Sequence, residues 1–291
     1  LIGKKIKSTS RRKFIKTLSG AAASAALLGT LSCKPGGGSN NGNSQPTALA
    51  PRARKTNPYV TSDGKPILVS VRGNDFTQML AAGLSLLGGL DLLIDNNQDV
   101  LINPNFNHTD PYPGVSSVDS IVSILDAVKQ VTGGQVSVGD MGWEDSASVY
   151  GNLGVEAAVT NAGGSLVTFS NAYRVRRSTW DSSKPDFRVF EHVYDAPILL
   201  NTCVVKRHRN AILTCAIKNN VGTISGSGMT STREYLHRSN NFMEELAEIA
   251  GLVNPELVIV DARSILTEDG PMLSYGGTVV DVGEVVISGD I

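Results

Sequence analysis

The chain has only three cysteines, Cys33, Cys203 and Cys215, and no CxxC pair. The usual sequence signals of an iron–sulfur cluster or a structural zinc are therefore missing. Charge is sparse and balanced. There are 26 lysines and arginines against 27 acids, a net charge of −1, which provides no field to hold nucleic acid. Apolar runs are short. None reaches the roughly 18 residues of a spanning helix, so none is expected in the mature protein. No repeat of roughly 20–50 residues is visible. What is present suffices for a packed core: 41 % of 291 residues are hydrophobic, enough for one large domain or two small ones.

The first 16 residues carry seven lysines and arginines and no acid, and "LSGAAASAALLGTL" follows over residues 18–31. That is a basic segment before a short, mildly apolar one, the layout of an export signal. "SRRKFIK", residues 10–16, resembles the twin-arginine export signal at every position, with Arg11 and Arg12 as the paired arginines. "TLSC", residues 30–33, resembles a lipobox with Thr30 in place of the usual Leu, which makes Cys33 the candidate lipid anchor. Residues 34–66 open with "KPGGGSNNGNSQP" and are expected to be a flexible tether without stable structure up to about residue 62. The expected organisation is a signal peptide over 1–33, a linker over 34–66 and a folded domain over 67–291. The chain starts at Leu1 and stops directly after a strand-like run, so truncation is expected, notably at the C-terminus.

From residue 67 strands and helices alternate. "ILVSV" (67–71), "VLINPN" (100–105), "GGQVSVGD" (133–140), "SLVTF" (165–169), "APILLNTCVV" (196–205), "ELVIVDA" (256–262) and "GEVVISGD" (283–290) read as strands or strand exits. Residues 76–94, 117–131, 147–164 and 231–250 show helical spacing, with Ser117 as an N-cap. This order predicts an α/β fold, a mostly parallel sheet with helices on both faces. A small β excursion interrupts it near residues 173–195. In such sheets ligands bind at the carboxyl ends of the strands.

The densest chemistry lies in "NTCVVKRHRNAILTCAIKNNVG", residues 201–222. A buried strand is expected to run straight into Lys206, Arg207, His208 and Arg209, four potential cations and a natural anion site. An apolar helical stretch should then lead to Lys218. His208 could titrate near neutrality as a base or ligand. Cys203 and Cys215 could pair in an oxidising compartment or stay as buried thiols. "GSGMTS", residues 226–231, lacks the third glycine of a dinucleotide fingerprint and reads as a loop.

The ordered series "VLINPN", "VSVGDMG", "ILLNTCVVKRHRNAILTCAIKNNVG", "YLHR", "ELVIVDA", "EDGP" and "VVISGD" resembles the DUF362 family, over nearly all of the mature chain. Members typically show K-P-N, V-G-D, N-x-P-x-x-K-x-H, K-N-x-x-G, L-H, V-D-A, G-P and S-x-D in that order. The resemblance implies catalytic roles for Lys206, His208, Lys218 and Asp261. It implies cofactor-binding roles for Asn105, Asp140, Asn219, His237 and Asp290. Asn103 stands where the family usually has Lys, and Cys203 where it often has Pro. Many members carry a ferredoxin-like cluster segment or occur beside redox proteins. This chain has no such cysteine run, so the cofactor stays open and a redox partner would be a separate chain.

Two functions follow. One is an exported, redox-associated enzyme that holds an anionic substrate on Lys206 and Lys218, with His208 as acid, base or ligand and Asp261 or Asp140 orienting it. The other is a non-catalytic, lipid-tethered binding protein with the same basic pocket. Either would sit in the periplasm or at the cell surface. Its partners would be the twin-arginine machinery and the membrane. On both readings Lys206, His208, Lys218 and Asp261 should converge in one cleft.

Overall fold

The computed structural model describes residues 47–177, 186–225 and 236–291. Arg11, Arg12, Cys33 and the glycine-rich stretch at 226–231 lie outside them. The chain from Thr47 to Ile291 forms one compact unit.

β1 (Leu68–Arg72) leads to α1 (Phe76–Leu87), capped by the Asp75 carboxylate on the Gln78 amide and stopped by Gly88 at φ 103°. β2 (Val100–Asn103) leads to α2 (Val118–Lys129), and β3 (Val136–Val138) to α3 (Ser146–Asn152) and α4 (Val155–Asn161). After β4 (Ser165–Leu166) come β5 (Ala172–Val175), β6 (Phe187–Phe190) and α5 (Glu191–Tyr194). β7 (Ile198–His208) then turns back as β8 (Ile212–Thr214) and continues into α6 (Ala216–Asn219) and β9 (Ile224–Ser225). α7 (Phe242–Val253), β10 (Leu257–Thr267) and β11 (Thr278–Ser288) complete the described chain.

The main sheet has the order β1-β11-β10-β7-β2-β3-β4, with β8 paired to β7. β10, β7, β2, β3 and β4 are parallel, and β11 and β1 add an antiparallel edge. β5, β6 and β9 form a separate antiparallel sheet. The expected α/β fold and its small β excursion are both present.

Alternation along the central strands sorts two cores. Ile102, Leu200 and Ile259 face one side, packed with α1, α2, α3 and α4. Leu101 and Leu199 face the other, packed with the small sheet and α7. α2 shows how sequence sets this packing. Ile121, Ile124, Leu125 and Val128 recur at helical spacing and are all buried, each contributing about 1.5–3 kcal/mol relative to exposure. Ser117 caps the helix by accepting the Ser120 amide.

Three expectations need correction. The linker does not extend to residue 66, because residues 47–66 are docked. Arg52 is 3 % exposed and makes a two-pronged pair with buried Glu256, at 2.9 and 3.2 Å. Arg54 donates to the carbonyls of Glu256 and Gly289, and the buried Tyr59 hydroxyl to that of Gly89. Glycine, serine and asparagine crowd the part before residue 47, and Arg52, Arg54 and Lys55 after it find acceptors. Next, the helix expected over 147–164 breaks in two at Gly154, whose φ of 71° suits glycine. Last, the strand expected to stop at Val205 runs on to His208, and the helical stretch after it is a hairpin, with Lys206 facing Thr214 and His208 facing Ile212. Lys206 and His208 are buried while Arg207 and Arg209 are exposed, a period-2 pattern that the run of charge concealed.

Candidate functional site

The carboxyl ends of β2, β3 and β7 meet at a small polar cleft of about 30 Å³. It is lined by Asn105 and Asn107 after β2, Asp140 after β3, and Lys206 and His208 on β7. Lys218 and Asn219 of α6 close it, beside Thr214, Gly222 and Pro271. Room for about one water admits the charged end of a ligand rather than a whole molecule.

Lys206 reaches the cleft because it alternates along the strand with Val205, which packs on the opposite face, and with exposed Arg207. It is 1 % exposed and its Nζ donates to the Gly114 carbonyl in the loop after β2. Such a burial is costly unless the ammonium is solvated by acceptors or paired with an anion. Lys218 approaches from α6, half-buried.

His208 is buried, and its Nδ1 accepts hydrogen bonds from the backbone amides of Asn210 and Ala211, at 3.2 and 3.1 Å. A nitrogen accepting two N–H groups carries no proton, so in the neutral ring the proton sits on Nε2. Burial, then the charges of Lys218, His237 and Lys206, push the pKa of His208 down to about 3. At neutral pH His208 is therefore a neutral donor through Nε2, and not a base that titrates near neutrality.

Asp140 supplies the negative charge. Its Oδ2 accepts the Phe106 amide at 2.8 Å, and its Oδ1 accepts the Met141 amide at 2.9 Å and the Asn103 Nδ2 at 3.4 Å. Gly222 makes this approach possible, since a Cβ there would stand 2.0 Å from Asp140 Oδ1. Asn219 ties the strand ends together. Its Nδ2 donates to Asn201 Oδ1 at 2.8 Å and its Oδ1 accepts from Asn105 Nδ2 at 2.9 Å. Asn105 Oδ1 is buried without a hydrogen-bond partner.

Three expected members stay apart. Asp261 is 2 % exposed but is engaged elsewhere. It binds Arg263 at 2.8 and 3.0 Å and accepts the Tyr112 hydroxyl at 2.9 Å. Arg263 continues to Asp119 at 2.9 Å. Burial lowers the pKa of Arg263, but the bonds to Asp261 and Asp119 outweigh it and hold the guanidinium above its ordinary value. Asp261 therefore pins the loop after β2 onto β10 instead of orienting His208. Asp290 is exposed and follows β11, whose last residue pairs with Val258 at the opposite end of the sheet. It was expected at a carboxyl strand end, but β11 runs antiparallel. His237 is exposed outside the cleft, its ring 5.8 Å from that of His208.

Sequence reading missed Thr214, Asn107 and Pro271. Thr214 was hidden by the helix expectation. Pro271 belongs to "EDGP", where Gly270 lies against β7: a Cβ there would meet the Arg207 carbonyl at 1.9 Å. Among the described residues no group of three or more His, Cys, Asp or Glu is arranged to hold a metal. A roomier cavity of about 330 Å³ lies at the amino ends of the strands, lined by Asp99, Gln135, Glu191, His192 and Asp195 among others. It is larger, yet among the described residues that line it there is no lysine or arginine, and it sits at the end of the sheet where ligands of such folds do not bind.

The model of the domain of unknown function DUF362 matches residues 100–291. The chain belongs to the DUF362 family. The matched region includes every residue of the cleft. The thylakoid-associated protein sll1697 of Synechocystis sp. (strain ATCC 27184 / PCC 6803 / Kazusa) is 26 % identical over 216 residues, which is 72 % of this chain and 64 % of that protein. The chain thus spans somewhat under two thirds of that DUF362-like relative. Among solved structures, the lactate racemase apoprotein from Thermoanaerobacterium thermosaccharolyticum superposes with a TM-score of 0.52 at 11 % identity. The match covers 78 % of this chain and 54 % of that one. At that identity the likeness establishes a shared fold and nothing of the chemistry.

Proposed function

We propose that this DUF362 protein binds the anionic end of a small ligand in the cleft at the strand ends. The observation that carries the reading is that Lys206, Lys218 and His208, whose ring proton sits on Nε2, all line one small polar cleft. Three donors, two of them cationic, suit a carboxylate or phosphate group. Binding is favoured over acid–base catalysis by the state of His208. Its Nδ1 is occupied by backbone amides, its basicity is suppressed, and Asp261 is not there to orient it.

The cleft is proposed to work outside the cytoplasm, in the periplasm or at the cell surface. Support comes from the complete match of residues 10–16 to a twin-arginine signal and from Cys33 at the end of a lipobox-like run. Among the described residues no helix is long and apolar enough to cross a membrane. A relative described as thylakoid-associated fits a membrane-tethered role. A separate redox partner and a redox-associated activity rest on the family resemblance.

The test is calorimetric titration of the purified full-length chain with inorganic phosphate and with acetate. Lys218→Met keeps the aliphatic stem and removes one charge-assisted bond, about 1.5–3 kcal/mol. Affinity should fall about tenfold or more, at roughly 1.4 kcal/mol per decade. Unchanged affinity for both anions would end the reading.

A further inference from the structure

Cys203 and Cys215 stand twelve positions apart, one on β7 and one after β8. The hairpin register brings them together. Lys206 faces Thr214, so the next pair inward is Val205 with Cys215. Cys203 lies two residues before Val205 and shares its face of the strand. Both sulfurs enter the same small apolar cluster with Val258 and Val260. The Cys203 thiol is placed to donate toward the sulfur of Cys215, and neither is in a disulfide. The two differ in access: Cys203 is 1 % exposed, whereas Cys215 is only half-buried at the edge of the cluster.

We propose that Cys203 and Cys215 form a thiol–disulfide exchange centre, in which Cys215 attacks an external disulfide and Cys203 resolves the product. The roles follow from the unequal environments. The hydrogen bond from Cys203 lowers the pKa of Cys215 to about 7 despite its burial, with help from the Ala216 amide. The same bond, and then burial, raise that of Cys203 well above its ordinary value. A thiol titrating near ambient pH is the better attacking group, and a buried one answers only when a mixed disulfide forms beside it.

The steps balance. Cys215 thiolate attacks one sulfur of a disulfide RSSR, its S–S bond breaks and RS⁻ leaves and takes up a proton. Cys203 then loses its proton and attacks the Cys215 sulfur of the mixed disulfide, and the second RS⁻ leaves and takes that proton. Two protein thiols are oxidised to one disulfide, and RSSR is reduced to two RSH. The hairpin closed by the new bond carries Lys206 and His208, but the exchange itself does not depend on what the cleft binds.

The experiment incubates the reduced full-length chain with oxidised glutathione, then alkylates and maps the peptides. A peptide pair linked through Cys203 and Cys215 is expected, and it is lost on reduction. Cys203→Ser should trap glutathione on Cys215, whereas Cys215→Ser should leave Cys203 unreacted. Full alkylation of both cysteines after oxidation, a link to Cys33 instead, or glutathione trapped on Cys203 would each overturn the proposal. A measurement on the unsubstituted chain avoids dependence on variant folding. The alkylation rate of Cys215 should reach half its maximum near pH 7, and a midpoint at or above that of an ordinary thiol, about 8.5, would remove Cys215 from the attacking role.

Discussion

Replacing His208 by Asn should change how the protein responds to acid. In the folded protein His208 has a pKa near 3, set by burial and by Lys218, His237 and Lys206. In the unfolded chain an imidazole titrates near 6.5. Above about pH 6.5 both states carry a neutral ring, and His208 contributes nothing to the pH dependence. As the pH falls below 6.5 the unfolded state takes up a proton that the folded state refuses, so stability is lost. The slope approaches about 1.4 kcal/mol per pH unit and continues until pH 3. Between pH 6.5 and 5 the loss assignable to His208 is about 1.5–2 kcal/mol. The Asn variant keeps an acceptor oxygen near the place of Nδ1, where the amides of Asn210 and Ala211 point, and it has no titration. Denaturant midpoints measured from pH 8 to pH 5 should therefore fall more steeply for the wild type than for the variant. Parallel curves would refute the account of His208 as a buried neutral donor, and with it the argument against a base at this position.

Other substitutions test the neighbouring links. Gly222→Ala should destabilise the protein by about 1–3 kcal/mol, read from a denaturation curve, because the new Cβ would stand 2.0 Å from Asp140 Oδ1; an unchanged midpoint would mean that Asp140 is free to move away. Arg11→Lys with Arg12→Lys should leave the chain in the cytoplasm, and Cys33→Ala should release it from the membrane fraction, both read by cell fractionation. Normal export of the first variant, or undiminished membrane binding of the second, would count against those assignments.

The parts of the fold legible in the sequence were those where one periodicity ruled. β2 is a continuous apolar run buried throughout, and α2 combines a helical apolar stripe with a serine cap. Asn105 after β2 and Asp140 after β3 were legible for the same reason, since a polar exit from a buried strand marks the rim of the sheet. The rest failed where two signals competed. In residues 205–215 strong charge was read as a strand exit, although Lys206 and His208 are strand residues that bury their side chains. In residues 47–66 the preceding composition concealed the arginines that dock on Glu256. Asp261 was placed in the cleft by its position after an apolar run, but β10 continues to Thr267 and Asp261 lies inside it. Arg263, two residues later, provides a nearer partner, and no local pattern discloses that choice.

The same reasoning bears on Asn103, which stands where the family usually has Lys. Its Nδ2 donates to the Gly139 carbonyl at 2.8 Å and lies 3.4 Å from Asp140 Oδ1. A lysine there would bring its ammonium against the same carboxylate and neutralise it. The amide fills the position and satisfies an oxygen, but it adds no charge. Asp140 then remains as a formal negative charge opposite Lys206 and Lys218, with His208 neutral. Counted formally over Asp140, Lys206 and Lys218 among the described lining residues, this leaves one positive charge where a lysine at position 103 would give two. In a site this small and largely buried, electrostatic terms are large, so the difference bears on ligand charge more than on shape. If the cleft binds an anion as proposed, a singly charged group is the better match, with a carboxylate favoured over a doubly ionised phosphate. The asparagine is thus compatible with a working site of altered preference, and it need not signal a site that has decayed.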